Sequence, residues 1–343
     1  MVVIEEVPDV TKDDENMLEE EVNRLYDKLG KLGWTKSACE SIAPYTLRIN
    51  TLKKEKGFKI LAHSYQTADI IFGIADIVGD SLALAKKATE IKEKRILFCG
   101  VDFMAESVKI LNPEKFIIVP ERGRDCTLAD SITGEDVRKL KEEHPGLPVV
   151  CYVNTNADVK AESDICCTSA NARKIIESLE EDAIIFIPDQ NMGENLAKLT
   201  GKKIITWPGS CRTHNALSIK KLEKLLQKSD KETKTFAHFE CRPEIIDNVD
   251  FTGGTGDMHR FADKADEGEK VLFLTEQGFI DRMKVEYPHI QFADSNMICV
   301  SMKRNDLLAT LNALENPTDA NVIELDEDIR QRAYRAVSNM LKY

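Results

Sequence analysis

Three cysteines, Cys126, Cys211 and Cys299, stand 85 and 88 residues apart (211 − 126 and 299 − 211), each just beyond an apolar run: FIIVPERGRDC, IITWPGSC and IQFADSNMIC. Three thiolates meeting at one point suit an iron-sulfur cluster better than structural zinc. Zinc normally takes four closed ligands, usually with C-x₂-C pairs, and no such pair occurs in this sequence. A cubane held by three cysteines leaves one iron without a protein ligand, and such an iron acts as a Lewis acid on hydroxyl or carboxylate oxygen. The chemistry that follows is dehydration or condensation of a small, oxygen-rich acid. His214, three residues beyond Cys211, is either a support for a ligand or a substrate contact, and spacing leaves both readings open.

Other polar residues keep the same register. LAHSY with His63 and Tyr65, CYVN with Tyr152 and Asn154, and AHFE with His238 and Glu240 open three cycles, with steps of 89 and 86 (152 − 63 and 238 − 152). Ser81 in GDSL, Ser169 in TSAN and Thr255 in GTGD follow at steps of 88 and 86, and the apolar runs ILFCGVD, IIFIPDQ and VLFLTEQ at 88 and 87. Four landmarks sharing one period mark an internal repeat of roughly 85 to 89 residues. Blander readings exist for single members. The hydroxyls could cap helices, although a helix start that is capped can also receive an anion. A histidine on a strand can be a satisfied core residue, and Cys99, Cys151, Cys166, Cys167 and Cys241, beside apolar strands, read as small buried hydrophobes.

The elements that must position these groups are short apolar runs alternating with amphipathic helical patterns from Gly57 onward, among them KILAHSY, VVCYVN, AIIFIP, TFAHFE and VLFLT. Strand-helix alternation with continuously apolar strands predicts parallel sheets covered on both faces. The expected architecture is three homologous α/β/α domains around a pseudo-threefold axis: a helical extension over 1–50, repeats over 51–140 and 141–230, and a third over 231–343 ending in a C-terminal helix. In open parallel sheets functional groups gather beyond the carboxyl ends of the strands, so one cavity at the junction would receive all the landmarks.

Composition narrows the function. The 343 residues carry 47 Lys and Arg against 59 Asp and Glu, a net charge of −12, which disfavours a nucleic acid partner. No apolar run is long enough for a membrane span. The opening MVVIEEVPDV is acidic where a secretory signal would be basic, and nine scattered cysteines, an odd number, argue for a reduced, cytoplasmic setting. FTGGTGDM lacks the G-x-G-x-x-G spacing and no P-loop occurs, so it reads as a turn before a helix with backbone donors for an anion. LKEEHPG and SIKKLEKLLQKSDKETK read as solvated helix faces and connections.

From about Gly57 to Lys342 the chain resembles the quinolinate synthase family. The likeness rests on ILAHSYQ, IADIVGDSLALAKKA, ILFCGVDFMAESVKILNPEK, YVNTNADVKAESD, ICCTSANA, Ser210 to His214, AHFEC, GTGDM and ICVSMKRNDLLATL. The resemblance implies a [4Fe-4S] cluster on Cys126, Cys211 and Cys299, and condensation of iminoaspartate with dihydroxyacetone phosphate to quinolinate, with loss of phosphate and water, in de novo NAD biosynthesis. It further implies that His63, Ser81, Tyr152, Asn154, Ser169, His238, Glu240 and Thr255 bind substrate and that Tyr65 and Glu240 form the acid/base pair. An L-aspartate oxidase or aspartate dehydrogenase would supply the imine. The chain departs from the family pattern at Thr127, Arg212-Thr213, Phe239 and Gly254, with one residue inserted between Tyr65 and Ser81. A diphthamide-type transferase, an altered-substrate dehydratase and a non-catalytic cluster sensor are the rival expectations.

Overall fold

The computed structural model describes residues 14–123 and 126–343, so the opening decapeptide lies outside the described residues. The runs that are apolar throughout become strands buried on both faces, as a helix-covered parallel sheet requires. In the first unit these are β1 (Phe58–His63), β2 (Ile77–Gly79), β3 (Arg95–Cys99) and β4 (Phe116–Ile118); in the second, β5 (Val149–Tyr152), β6 (Ile165–Cys167), β7 (Ala183–Ile187) and β8 (Lys203–Thr206). The third has β9 (Lys234–His238), β10 (Phe251–Gly253), β11 (Lys270–Leu274) and β12 (Gln291–Ala293). Each set forms a four-stranded parallel sheet of one topology, 2-1-3-4 in the order of its own strands. This is the repeat that the 87-residue spacing predicts.

Register carries the period down to single residues. His63 pairs with Gly79, Tyr152 with Cys167 and His238 with Gly253, so in every unit the last residue of the first strand meets the last residue of the second. Beyond those ends the chain turns back into helices, and the functional landmarks fall in the turns.

The helices outside the repeats bind the units together. Helix Asp14–Leu29 packs on helix Lys36–Glu55 through Val22, Leu25, Leu29, Cys39 and Ala43, and the second of these helices buries Tyr45, Ile49 and Leu52 on the first sheet. After β12 the chain leaves its own unit. Met302 enters the core around β3, and helix Leu307–Glu315 packs Leu307, Leu311 and Leu314 under the first sheet. Val322 bridges to Ile118 at the end of β4. Helix Glu327–Met340 then buries Ala333, Ala336, Val337 and Met340 against Val149, Cys151 and Ala157 of the second unit and Ile110 of the first. The final helices, grouped with the third repeat by sequence position, thus rest on the other two.

Candidate active site at the junction of three sheets

The carboxyl ends of the three sheets face one cavity of about 70 Å³. All twelve residues singled out from the sequence line it: His63, Tyr65, Ser81, Cys126, Tyr152, Asn154, Ser169, Cys211, His238, Glu240, Thr255 and Cys299. Each unit contributes by the same rule. The first strand of the sheet delivers His63, Tyr152 or His238 at its end, the turn after the second delivers Ser81, Ser169 or Thr255, and the loop after the fourth delivers a cysteine.

Capping does not account for the hydroxyls. Asp80, not Ser81, caps helix Ser81–Glu90, taking the Ala83 N–H at 2.8 Å. Gly254 precedes helix Thr255–Ala262 and Asn171 precedes helix Ala172–Ser178. None of the three hydroxyls hydrogen-bonds to another described residue, so all three remain available to a ligand in the cavity. Gly254 has a local reason as well: a Cβ there would come within 2.6 Å of the Ser169 carbonyl and hydroxyl, so glycine lets the second and third units close. Arg212 does not line this cavity; it is exposed on the outer side of the cysteines.

The histidines of the first and third units share one device. His63 Nδ1 accepts the Tyr65 N–H at 3.2 Å and His238 Nδ1 accepts the Glu240 N–H at 3.3 Å, which leaves Nε2–H as the donor of each neutral ring. Burial, with Arg282 beside it, pushes His63 down to about 3. Burial and the His214 ring, stacked at 4.6 Å between centroids, push His238 down to about 3. Both act as neutral donors at physiological pH.

Glu240 is buried, and burial alone would raise its pKa. His214, whose Nδ1 lies 2.6 Å from Oε2, together with His238 and the Tyr152 phenol, holds it below the ordinary carboxylate range. Asn154 Nδ2 donates to the other oxygen at 3.3 Å. Tyr65, expected beside Glu240, reaches it indirectly. Its hydroxyl is 2.7 Å from Thr275 Oγ1, which is 3.0 Å from His214 Nε2, and His214 Nδ1 meets the carboxylate. With Nδ1 donating to Glu240, Nε2 accepts from Thr275 and Thr275 accepts from Tyr65. Burial, with the Glu240 charge adding, lifts both Tyr65 and Tyr152 well above 10, so both stay phenols. His214 thereby resolves as a link in a chain, and Thr275 is a member that sequence reading missed; no hydroxyl occupies its place in the other repeats, where Val101 and Pro188 stand, so the period gives no signal for it.

The donor set fits a metal. Cys126, Cys211 and Cys299 reach the cavity, whereas the other six cysteines are buried elsewhere in the fold. Burial raises all three thiols, Cys126 to about 12, the direction a bound metal would reverse. Cys211, His214 and Glu240 also have ligand atoms within 4.8 Å of one another, but His214 already uses both ring nitrogens in the chain just described. Among the described residues no lysine or arginine lines the cavity, so there an anionic substrate would meet neutral donors and whatever positive charge a metal brings.

The family model described as quinolinate synthetase A protein matches residues 47–342. A quinolinate synthase of Sinorhizobium fredii is 44% identical over 87% of this chain and 82% of its own length. One of Sinorhizobium medicae is 41% identical over 97% and 89%, and one of Dehalococcoides mccartyi is 45% identical over 86% and 97%.

Proposed function

This chain belongs to the quinolinate synthetase A family, an enzyme of the quinolinate synthase type in NAD biosynthesis, and we propose that it condenses iminoaspartate with dihydroxyacetone phosphate at the junction of its three sheets, releasing phosphate and water. The observation that carries this reading is the convergence of one cysteine, one strand-end histidine or tyrosine and one unpaired hydroxyl from each repeat on a single cavity. Cys126, Cys211 and Cys299 would hold a [4Fe-4S] cluster, and when bound it supplies an iron with an open position that acts as a Lewis acid on a substrate oxygen. The setting is cytoplasmic, with an L-aspartate oxidase or aspartate dehydrogenase as the source of the imine.

The chain's own residues divide the remaining work. His63 and His238 donate through Nε2–H, and Ser81, Ser169, Thr255 and Asn154 add neutral donors, so carboxylates and a phosphate can be bound without a buried cation. Imine formation, isomerisation and dehydration all require protons to leave carbon or nitrogen and to reach oxygen. A proton taken up at Tyr65 Oη displaces the phenol's own proton to Thr275 and the threonine's to His214 Nε2, and Glu240 stabilises the imidazolium so formed. Run backwards, the same chain returns the proton to a departing hydroxyl. Tyr152 lines the same cavity, its phenol against Glu240.

Anaerobically purified, loaded protein supplied with iminoaspartate and dihydroxyacetone phosphate should yield quinolinate, with iron and sulfide in near-equal amounts. Cys211→Ala should abolish visible cluster absorbance and product together. Full turnover in a cluster-free variant would overturn the reading, as would a loaded protein that makes no quinolinate but consumes S-adenosylmethionine.

A further inference from the structure

Three carboxylates outside the reactive set lie one repeat apart, at Asp102, Asp189 and Glu276, 87 residues between neighbours (189 − 102 and 276 − 189). Each follows the third strand of its sheet and stands at the start of the next helix. In the second unit Asp189 splits its oxygens: Oδ1 takes the Met192 N–H at 2.8 Å and caps its helix, while Oδ2 takes the Cys211 N–H at 2.9 Å. Glu276 does the same in the third, with Oε2 on the Gly278 N–H at 2.7 Å and Oε1 on the Cys299 N–H at 3.2 Å. A backbone bond doubles each tie, from Gln190 N–H to the Gly209 carbonyl at 2.8 Å and from Gln277 N–H to the Met297 carbonyl at 2.7 Å, both carbonyls two residues before the cysteine. In the first unit Asp102 Oδ2 takes the Gly123 N–H at 3.1 Å, three residues before Cys126.

The contacts are built rather than incidental. Asp189 and Glu276 are fully buried, and burying a carboxylate is costly unless hydrogen bonds compensate it. A Cβ on Gly278 would lie 2.9 Å from Glu276 Oε2 and 2.5 Å from the Gln66 carbonyl, and one on Gly209 would lie 2.4 Å from the Pro188 carbonyl, so both glycines are there to let the clamps close. Lys303 Nζ, 3.0 Å from Glu276 Oε1, also donates to the Tyr65 carbonyl at 2.7 Å and joins the third clamp to the first unit.

We propose that Asp189 and Glu276, with Asp102 in the corresponding place of the first unit, are positioning residues that aim the cysteine loops at a common metal by fixing the backbone at or near each ligand. The inference rests on the cluster reading and deepens it. A cysteine on a free loop pays ordering entropy when it binds metal, whereas a clamped one does not, and outer partners of ligands typically change metal affinity or activity about 10- to 100-fold.

The test is the anaerobic rate of iron loss from loaded protein to a chelator in excess. Asp189→Ala and Glu276→Ala should accelerate it about 10- to 100-fold. Asp326→Ala, which removes an N-cap from helix Glu327–Met340 far along the chain from any of the three cysteines, should lower thermal stability without changing iron loss. If an alanine variant fails to fold, Asp189→Asn and Glu276→Gln decide, since each amide keeps one accepting oxygen and can no longer accept from both the helix-start N–H and the cysteine N–H; faster iron loss from a folded amide variant is expected. Wild-type rates in the aspartate and glutamate variants, or acceleration in Asp326→Ala equal to theirs, would overturn the inference. The cluster reading fails separately, if Cys211→Ala keeps its full iron and sulfide.

Discussion

The cysteines lie between two spaces that could hardly differ more. Inward is the small cavity with two neutral histidines, unpaired hydroxyls, the buried Glu240 carboxylate with Asp80 at its wall, and no lysine or arginine among its described lining residues. Outward is a groove of about 750 Å³, lined by the same three cysteines and by Arg212, Lys221, Lys224, Lys228 and Arg304, with no carboxylate among the described residues of its wall. In a chain of net charge −12, where acidic residues outnumber basic ones, five cations with no carboxylate among the described residues of the wall stand out. The inner wall is built from strand ends and the turns and loops that follow them; the outer wall is made of loops and one face of helix Ile219–Lys228. Fixed neutral donors suit the sorting of protons on a bound substrate, while an exposed cationic wall acts at a distance and yields to salt.

The largest expected effect tests whether the inner side is chemistry alone. Glu240→Gln should lower kcat about 100- to 10,000-fold with iron content unchanged, measured by anaerobic turnover and metal analysis. Loss of iron along with activity would make Glu240 part of the metal set and erase the division between the two faces. Thr275→Val should lower kcat about 10- to 100-fold with KM little changed, and Thr275→Ser should restore most of it, because serine keeps the hydroxyl between Tyr65 and His214.

The buried histidines give a pH signature that the outer cations do not. His63 and His238 titrate near 3 when folded and near 6.5 when unfolded, so below 6.5 the unfolded chain binds more protons and stability falls as pH drops toward 3. Each histidine should contribute a slope of up to about 1.4 kcal/mol per pH unit, read from denaturant melts between about pH 6.5 and 5. His63→Asn and His238→Asn should each flatten that slope; an unchanged slope would mean that the rings are already charged in the fold. The smallest effect concerns the outside. Lys221→Gln with Lys224→Gln and Lys228→Gln should slow iron loss to a polyanionic chelator a few-fold at low ionic strength, leave loss to an uncharged chelator unchanged, and merge with wild type near about 0.5 M salt.

Sequence legibility divides along the same line. The period placed the landmark strand ends and one cysteine per repeat, because a repeated fold must repeat its positions, and the twelve singled-out residues do share a wall. What it did not reveal are contacts unique to one unit. Thr275 has no counterpart, so its place between Tyr65 and His214 could be learned only from coordinates. Asp102, Asp189 and Glu276 do have counterparts; they are the last or next-to-last residues of ILFCGVD, IIFIPDQ and VLFLTEQ, where a carboxylate beside an apolar run looks like an ordinary helix cap. The outer groove was hidden by its own chemistry, since a lysine-rich amphipathic helix looks like any solvated one until the loops that face it are known.

The tail of the chain has one more consequence. A ring of three similar lobes has no inherent lock, and lobes joined only in series could hinge apart at the last joint. Here the segment after Cys299 threads back across the first lobe and finishes on the second, with Lys56 grasping the Leu314 and Glu315 carbonyls and Asn171 that of Met340. The last lobe is therefore buckled at both of its ends, like a belt returned through its own loop, and a cut between Asn305 and Asp326 would free it to swing even though every strand stayed whole.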